Sequence, residues 1–251
     1  MVVSTGGIGE VSTRESFRGR KLASILLQEA IAYMEHHKVA ISSLHTGAAA
    51  PLYSQLGWRS VGVTAVCLTR EELGAAAAAS ATTTPTPCSI SEMNSIDSMQ
   101  VVEQLQPIHD AYIRQFSGCF VRSREYWHTW WLAEAAVSRR VFLARDSAAR
   151  VTAYLVSSHA PRDGDASRTI GVMEFACQPH HEAHFIPLAL AAIEATGGEA
   201  LQVPYGMVES VVPASVSREE VHGLMYRAIT SEALLPVNDT HHHFFMRVDS
   251  F

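Results

Sequence analysis

An α/β fold built as two units in tandem is what this sequence predicts, and three observations predict it. In both halves, runs of β-permissive residues alternate with segments whose apolar residues recur at spacings of three and four. Between the halves, residues 74–98 are poor in large apolar side chains, and GAAAAASATTTPTP at 74–87 carries no charge at all, the composition of a linker. The 251 residues are 47% hydrophobic and 18% charged, an ordinary globular composition that can bury roughly 70% of the unfolded surface. The chain therefore divides into residues 1–73, a linker over 74–98, and a longer unit over 99–251.

In the first unit, Ile8 to Thr13 reads as a short strand that passes through the Arg18-Gly19-Arg20 turn into a helix from Lys21 to His37. That helix carries Leu22, Ile25, Leu26, Ala30, Tyr33 and Met34 on an amphipathic pattern. Val39 to Leu44 follows as a strand, and Pro51 to Leu56 as a short helix closed by Gly57, the residue a left-handed C-cap favours. Trp58 to Leu68 supplies one or two closing strands. The second unit opens with a helix from Met99 to Phe116 and the aromatic segment Tyr126 to Trp131. Strands at Val141 to Ala144, Val151 to Ser157 and Thr169 to Cys177 lead to a helix at about Glu182 to Thr196 and a strand at Ala200 to Pro204. Trp127, Trp130 and Trp131, at i, i+3 and i+4, read as one buried helix face.

Composition excludes several function classes. A net charge of -6 with no basic block argues against a partner held by phosphate-backbone contacts, so no nucleic acid is expected. The four cysteines, Cys67, Cys88, Cys119 and Cys177, form no CxxC pair and fit reduced thiols in the cytoplasm. No run of about 18 apolar residues is present and the N-terminus lacks a signal-peptide core, so no membrane partner is expected.

The stretch from Val11 to Ala32 has the makings of an anion site. The first amides of a helix lack intrahelical acceptors, and the macrodipole places about +0.5 charge there. Arg18, Arg20 and Lys21 add positive potential. An amphipathic helix with a basic, hydrated start accounts for the same residues.

Read together with its sequel, Ala50-Pro51-Leu52-Tyr53-Ser54-Gln55-Leu56-Gly57-Trp58, the segment from Val11 to Ser24 resembles the GNAT superfamily of N-acetyltransferases from the fourth strand of that fold onward. Within it the chain is most similar to the enhanced-intracellular-survival (Eis) type, in which a second GNAT-like domain without the coenzyme loop follows the first; Arg122, Tyr126 and Trp127 match residues near the start of that second domain. The resemblance implies tandem GNAT-like domains, the first incomplete, with acetyl-CoA as acetyl donor and no metal. It places pantetheine against Val11, Ser12 and Thr13. The pyrophosphate falls on the loop and helix start formed by Arg18, Gly19, Arg20, Lys21, Leu22, Ala23 and Ser24. Tyr53 then falls where such enzymes keep a tyrosine near the thioester sulfur, and a phenol of ordinary pKa about 10 can hand a proton to a departing thiolate. The implied acceptor is a primary amine on a small molecule or peptide, attacking directly in a ternary complex. Glu10 is a candidate base, and Phe251, through its terminal carboxylate, a remote one. The contrasting reading is a catalytically inactive GNAT-like scaffold or interaction fragment.

Two departures accompany the resemblance. The loop motif's central glycine is Lys21, and the chain begins almost at the fourth strand. A fragment of a longer product, completion by another subunit (including a second copy), and a degenerate pseudoenzyme all fit that start. His241 to Phe251 reads as a strand opening a further domain. His180, His181, His184 and Glu182 lack the HExxH spacing, and adjacent His241 to His243 would face alternate sides of a strand, so metal binding is not expected. Asp165 and Glu174 are left as carboxylates that could pair with a histidine.

Overall fold

The computed structural model describes residues 2–80, 88–93, 98–116, 118–137, 139–160, 168–213 and 215–230. They group into two compact units, the first made of residues 2–63 and 220–230, the second of 64–219. The sequence division at 74–98 falls inside the second of these. The expected strand at the C-terminal end, and Phe251 with it, lie outside the described residues, as does Asp165.

The first unit contains β1 (Thr5–Ile8), α1 (Leu22–His36), β2 (Ile41–His45), α2 (Ala50–Gln55), residues 59–63 of β3 (Arg59–Thr69) and most of a late strand, which is β9 (Arg218–Ala228) below. Its strand order is β1-β2-β9-β3. β1 runs parallel to β2, pairing Thr5 with Ile41 through Ile8 with Leu44, whereas β9 runs antiparallel to β2. Leu27, Ile31 and Met34 of α1 pack with Leu44, Tyr53, Trp58 and Met225 in one core cluster. The expected helix is therefore present, with Lys21 and His37 as its caps. The first strand differs from expectation: it ends at Ile8, because Glu10 takes a left-handed φ of 53° and carries residues 9–14 out of the ladder.

The second unit adds residues 64–69 of β3, α3 (Arg70–Ser80), β4 (Ser89–Glu92), α4 (Ser98–Tyr112), α5 (Arg124–Tyr126), α6 (Leu132–Val137), β5 (Arg139–Arg145), β6 (Val151–Ser158), β7 (Thr169–Cys177), α7 (Phe185–Thr196) and β8 (Ala200–Pro204). Its order is β3-β8-β7-β6-β5-β4, antiparallel except between β7 and β8. β6 is buried along nearly its whole length, with Val151, Ala153, Leu155 and Val156 in the core, and Phe175, Phe185 and Leu188 of the same unit are buried as well.

Residues 74–80, expected in the linker, are instead the C-terminal part of α3. Thr69 and Glu72 form a reciprocal capping box: the Thr69 amide donates to Glu72 Oε2 at 2.8 Å and the Glu72 amide donates to Thr69 Oγ1 at 3.2 Å. The alanines that follow have the highest helix propensity, and α3 packs against α7. β4, also inside the expected linker, pairs with β5. The tryptophan triplet is split as well. Trp127 and Trp131 are buried, but Trp130 is 63% exposed, because Trp127–Trp131 form a π turn whose wider pitch aligns i with i+4 and swings i+3 outward.

Candidate functional site

The chain leaving β1 keeps an extended alternation, with Val11 and Thr13 half-buried and Ser12 and Arg14 exposed, although it no longer pairs with β2. Val11 packs against the core cluster of the first unit, which holds this strip in place. A single 3-10 turn at Glu15–Phe17 follows, closed by the Phe17 amide on Arg14 O (2.9 Å) and the Arg18 amide on Glu15 O (3.1 Å). Two left-handed residues then reverse the chain into α1: Gly19 at φ 76° and Lys21 at φ 57°, ψ 22°.

This geometry leaves the start of α1 open. Lys21 is the N-cap, and no side chain caps the helix; its carbonyl accepts the first turn's bond from the Ile25 amide at 3.1 Å. The amides of Leu22, Ala23 and Ser24 therefore precede the first helical hydrogen bond, the arrangement that favours an anion. The Lys21 side chain is exposed, as are Arg18 and Arg20. Arg20 lies over the Phe17 ring, 5.5 Å from its centroid. Lysine thus stands in the left-handed conformation that glycine adopts without strain, while its side chain stays in solvent.

Beside this helix start is a cavity of about 210 Å³. It is lined by Ser12, Thr13, Leu22 and Ala23, all singled out by sequence, and by Arg14, Phe17 and Leu26, which were not. Phe17 and Leu26 face it from the 3-10 turn and the second turn of α1, and both are partly solvent-exposed apolar side chains.

Tyr53 sits in α2, only 8% exposed, with its ring edge-on to Trp58 at 6.0 Å between centroids. Burial pushes its phenol pKa above the ordinary value, which favours the protonated form at neutral pH. It belongs to the core cluster and does not line the cavity beside α1. Glu10 is exposed, two residues beyond the end of β1.

The histidines at 180, 181 and 184 make local contacts. The His181 Nδ1 lies 3.0 Å from Pro179 O, the His180 amide donates to Glu182 Oε1 at 3.3 Å, and buried His184 meets Thr152 Oγ1 at 3.0 Å. Among the described residues, no three side chains of metal-ligating type come together. Glu174 pairs with arginine: Arg122 Nη1 and Nη2 donate to its two oxygens at 3.0 and 2.7 Å, and the Tyr154 hydroxyl donates to it as well.

Comparison with known proteins gives a family-model match and matches to solved structures. Residues 1–61 match the model of the acetyltransferase (GNAT) domain family. The sequence matches none of the curated proteins. A GCN5-related N-acetyltransferase from Kribbella flavida superposes with a TM-score of 0.59 at 18% identity over 91% of this chain, and a probable N-acyltransferase from Enterococcus faecalis V583 gives 0.63 at 18% over 93%. Eis1 from Mycobacterium abscessus gives 0.56 at 16% over 92%. The chain spans little more than half the length of these structures, 54%, 56% and 58% respectively. Residues 1–61 are thus similar to a GNAT acetyltransferase domain, and the chain shares the mixed α/β fold of those proteins.

Proposed function

We propose that this chain is an acyltransferase that moves an acetyl group from acetyl-CoA to a primary amine, by direct attack within a ternary complex. The single observation that carries this reading is the uncapped start of α1, reached through left-handed Gly19 and Lys21 and opening beside the cavity of Ser12, Thr13, Leu22 and Ala23. Bound acetyl-CoA would supply the thioester acyl group. The amides of Leu22, Ala23 and Ser24 would hold its pyrophosphate, with Arg18, Gly19, Arg20 and Lys21 around it. The extended backbone of Val11, Ser12 and Thr13, which lies beyond the β1–β2 ladder, would meet the pantetheine. The raised pKa of Tyr53 keeps a proton on its phenol, the state a general acid needs. Glu10, exposed beyond β1, is the candidate acceptor of the amine's proton. The four cysteines are free thiols, which fits the reduced thiols of a cytoplasmic setting; no described helix is long and apolar enough to cross a membrane.

One observation favours a second reading. Tyr53 is packed into the core of the first unit, where a ring can serve packing alone, as in a non-catalytic GNAT-like scaffold. A thermal-shift series with acetyl-CoA, CoA and ATP tests both. A ligand at 100 times its dissociation constant adds about 2.7 kcal/mol. A rise specific to the two CoA ligands, followed by turnover with an amine panel, supports the transferase; a rise without turnover supports the scaffold; no rise in a cooperatively folded sample defeats the coenzyme assignment.

A further inference from the structure

The first unit has a second cavity, of about 460 Å³, that shares no residue with the one beside the start of α1. Gln28 and Ile31 line it from the middle of α1, Gln55, Leu56 and Gly57 from the C-terminal end of α2, and Arg227 from β9. Its chemistry is that of one cation between two carboxamides over an apolar floor.

Arg227 is held in place by three neighbours. Its Nη1 donates to Leu56 O, its guanidinium carbon lies 5.6 Å from the centroid of the Trp58 ring, and it rests against Gly57. Gly57 has a φ of 92°, and a Cβ there would stand 2.8 Å from Arg227 Nη1, so only glycine lets the guanidinium approach the backbone. The Arg227 Nε, in contrast, is buried with no hydrogen-bond partner among the described residues. Nη2 makes no hydrogen bond among the described residues and is not sealed in, so it is the donor this cavity-lining guanidinium offers a ligand.

We propose that this cavity binds a small monocarboxylate with an apolar body. With Nη1 engaged and Nε sealed in, the guanidinium meets a carboxylate oxygen through Nη2, a charge-assisted hydrogen bond. The Gln28 and Gln55 carboxamides can donate to the same oxygens without adding charge, which matches one negative charge better than two. Ile31 and Leu56 face the apolar body.

Butyrate titrated into the full chain by calorimetry is the direct probe, with butanol and inorganic phosphate alongside. A ligand this small binds with a Kd on the order of 1 mM. Butyrate is expected to bind, butanol and phosphate at least about tenfold more weakly, and saturating acetyl-CoA to leave butyrate binding unchanged. Arg227→Gln should weaken butyrate at least about tenfold. Because Arg227 also holds the end of α2, Gln28→Glu provides a variant that leaves the arginine's contacts intact and should abolish binding by repulsion. Absence of butyrate binding, equal binding of butanol, loss of binding on adding acetyl-CoA, or indifference to Gln28→Glu would each overturn the proposal.

Discussion

Removing one partner of the Arg122–Glu174 pair should destabilise the second unit more than any surface change. The two side chains are 1% and 0% exposed, joined by both guanidinium Nη groups, with Arg122 also 4.9 Å from the centroid of the Trp127 ring. Breaking a buried pair by truncating one side costs about 3–5 kcal/mol, because the surviving charge is stranded, whereas replacing both by apolar residues of similar volume is close to neutral. Arg122→Met and Glu174→Leu should each lose that amount in urea unfolding at pH 7, read by tryptophan fluorescence. The double variant Arg122→Met/Glu174→Leu should lose much less than the sum, a coupling of at least about 2 kcal/mol. The pair also sets an acid limit. Burial alone pushes the Glu174 carboxyl up, but the charge and hydrogen bonds of Arg122, the charge of His109 and the Tyr154 hydroxyl together leave it below the ordinary carboxylate value. A carboxyl whose pKa is lower folded than unfolded stabilises fully above the unfolded value of about 4.3 and loses that contribution as pH falls through the folded value. Stability of the wild type should therefore drop below about pH 4.3 more steeply than that of the double variant. Single-variant losses under about 1 kcal/mol, additive behaviour in the cycle, or parallel acid profiles would refute the reasoning.

Three further outcomes follow from the same geometry. Lys21→Gly should raise stability by about 1 kcal/mol in urea unfolding, since an exposed lysine at φ 57° carries left-handed strain that glycine lacks; a loss of stability would show that its side chain is held. Tyr53→Phe should retain the coenzyme-dependent rise in melting temperature while losing turnover, and unchanged turnover would remove Tyr53 from the acid's role. Cys177, its thiol pushed up to about 12 by burial and then by Glu182, should resist iodoacetamide at pH 8 in the folded protein and label after denaturation; labelling as fast as exposed Cys67, followed by mass spectrometry, would contradict that burial.

Elements whose patterns are local were legible. α1, α7 and the strands β5, β6 and β7 each carry their own periodicity, and their boundaries fall within a few residues of expectation. What misled was composition. The alanine run after Gly74 looks like linker because it lacks both charge and bulk, yet the Thr69-to-Glu72 capping box just before it was a readable start signal. β9 was missed for a different reason. REEVHGLMYRA has charges at one end and apolar residues at the other, and its place beside β2 depends on pairing across some 180 residues of chain, which no local pattern encodes.

The candidate site divides along the same line. An anion held by backbone amides needs a particular path of the chain more than particular side chains, so a loop of this kind stays readable even when lysine replaces glycine, provided the left-handed turn survives, as it does at Lys21. A cavity wall is another matter. Arg14 and Phe17 reach the cavity because a 3-10 turn folds them over α1, and Arg227 reaches the other one because β9 returns to the first unit. Neither placement has a motif. Tyr53 lies between the two cases: the residues around it marked it out, but its burial against Trp58 serves packing and proton retention alike, so its role is decided by the hydroxyl and not by the ring. That is why Tyr53→Phe, which deletes the oxygen and leaves the packing, separates a transferase from a scaffold of the same fold.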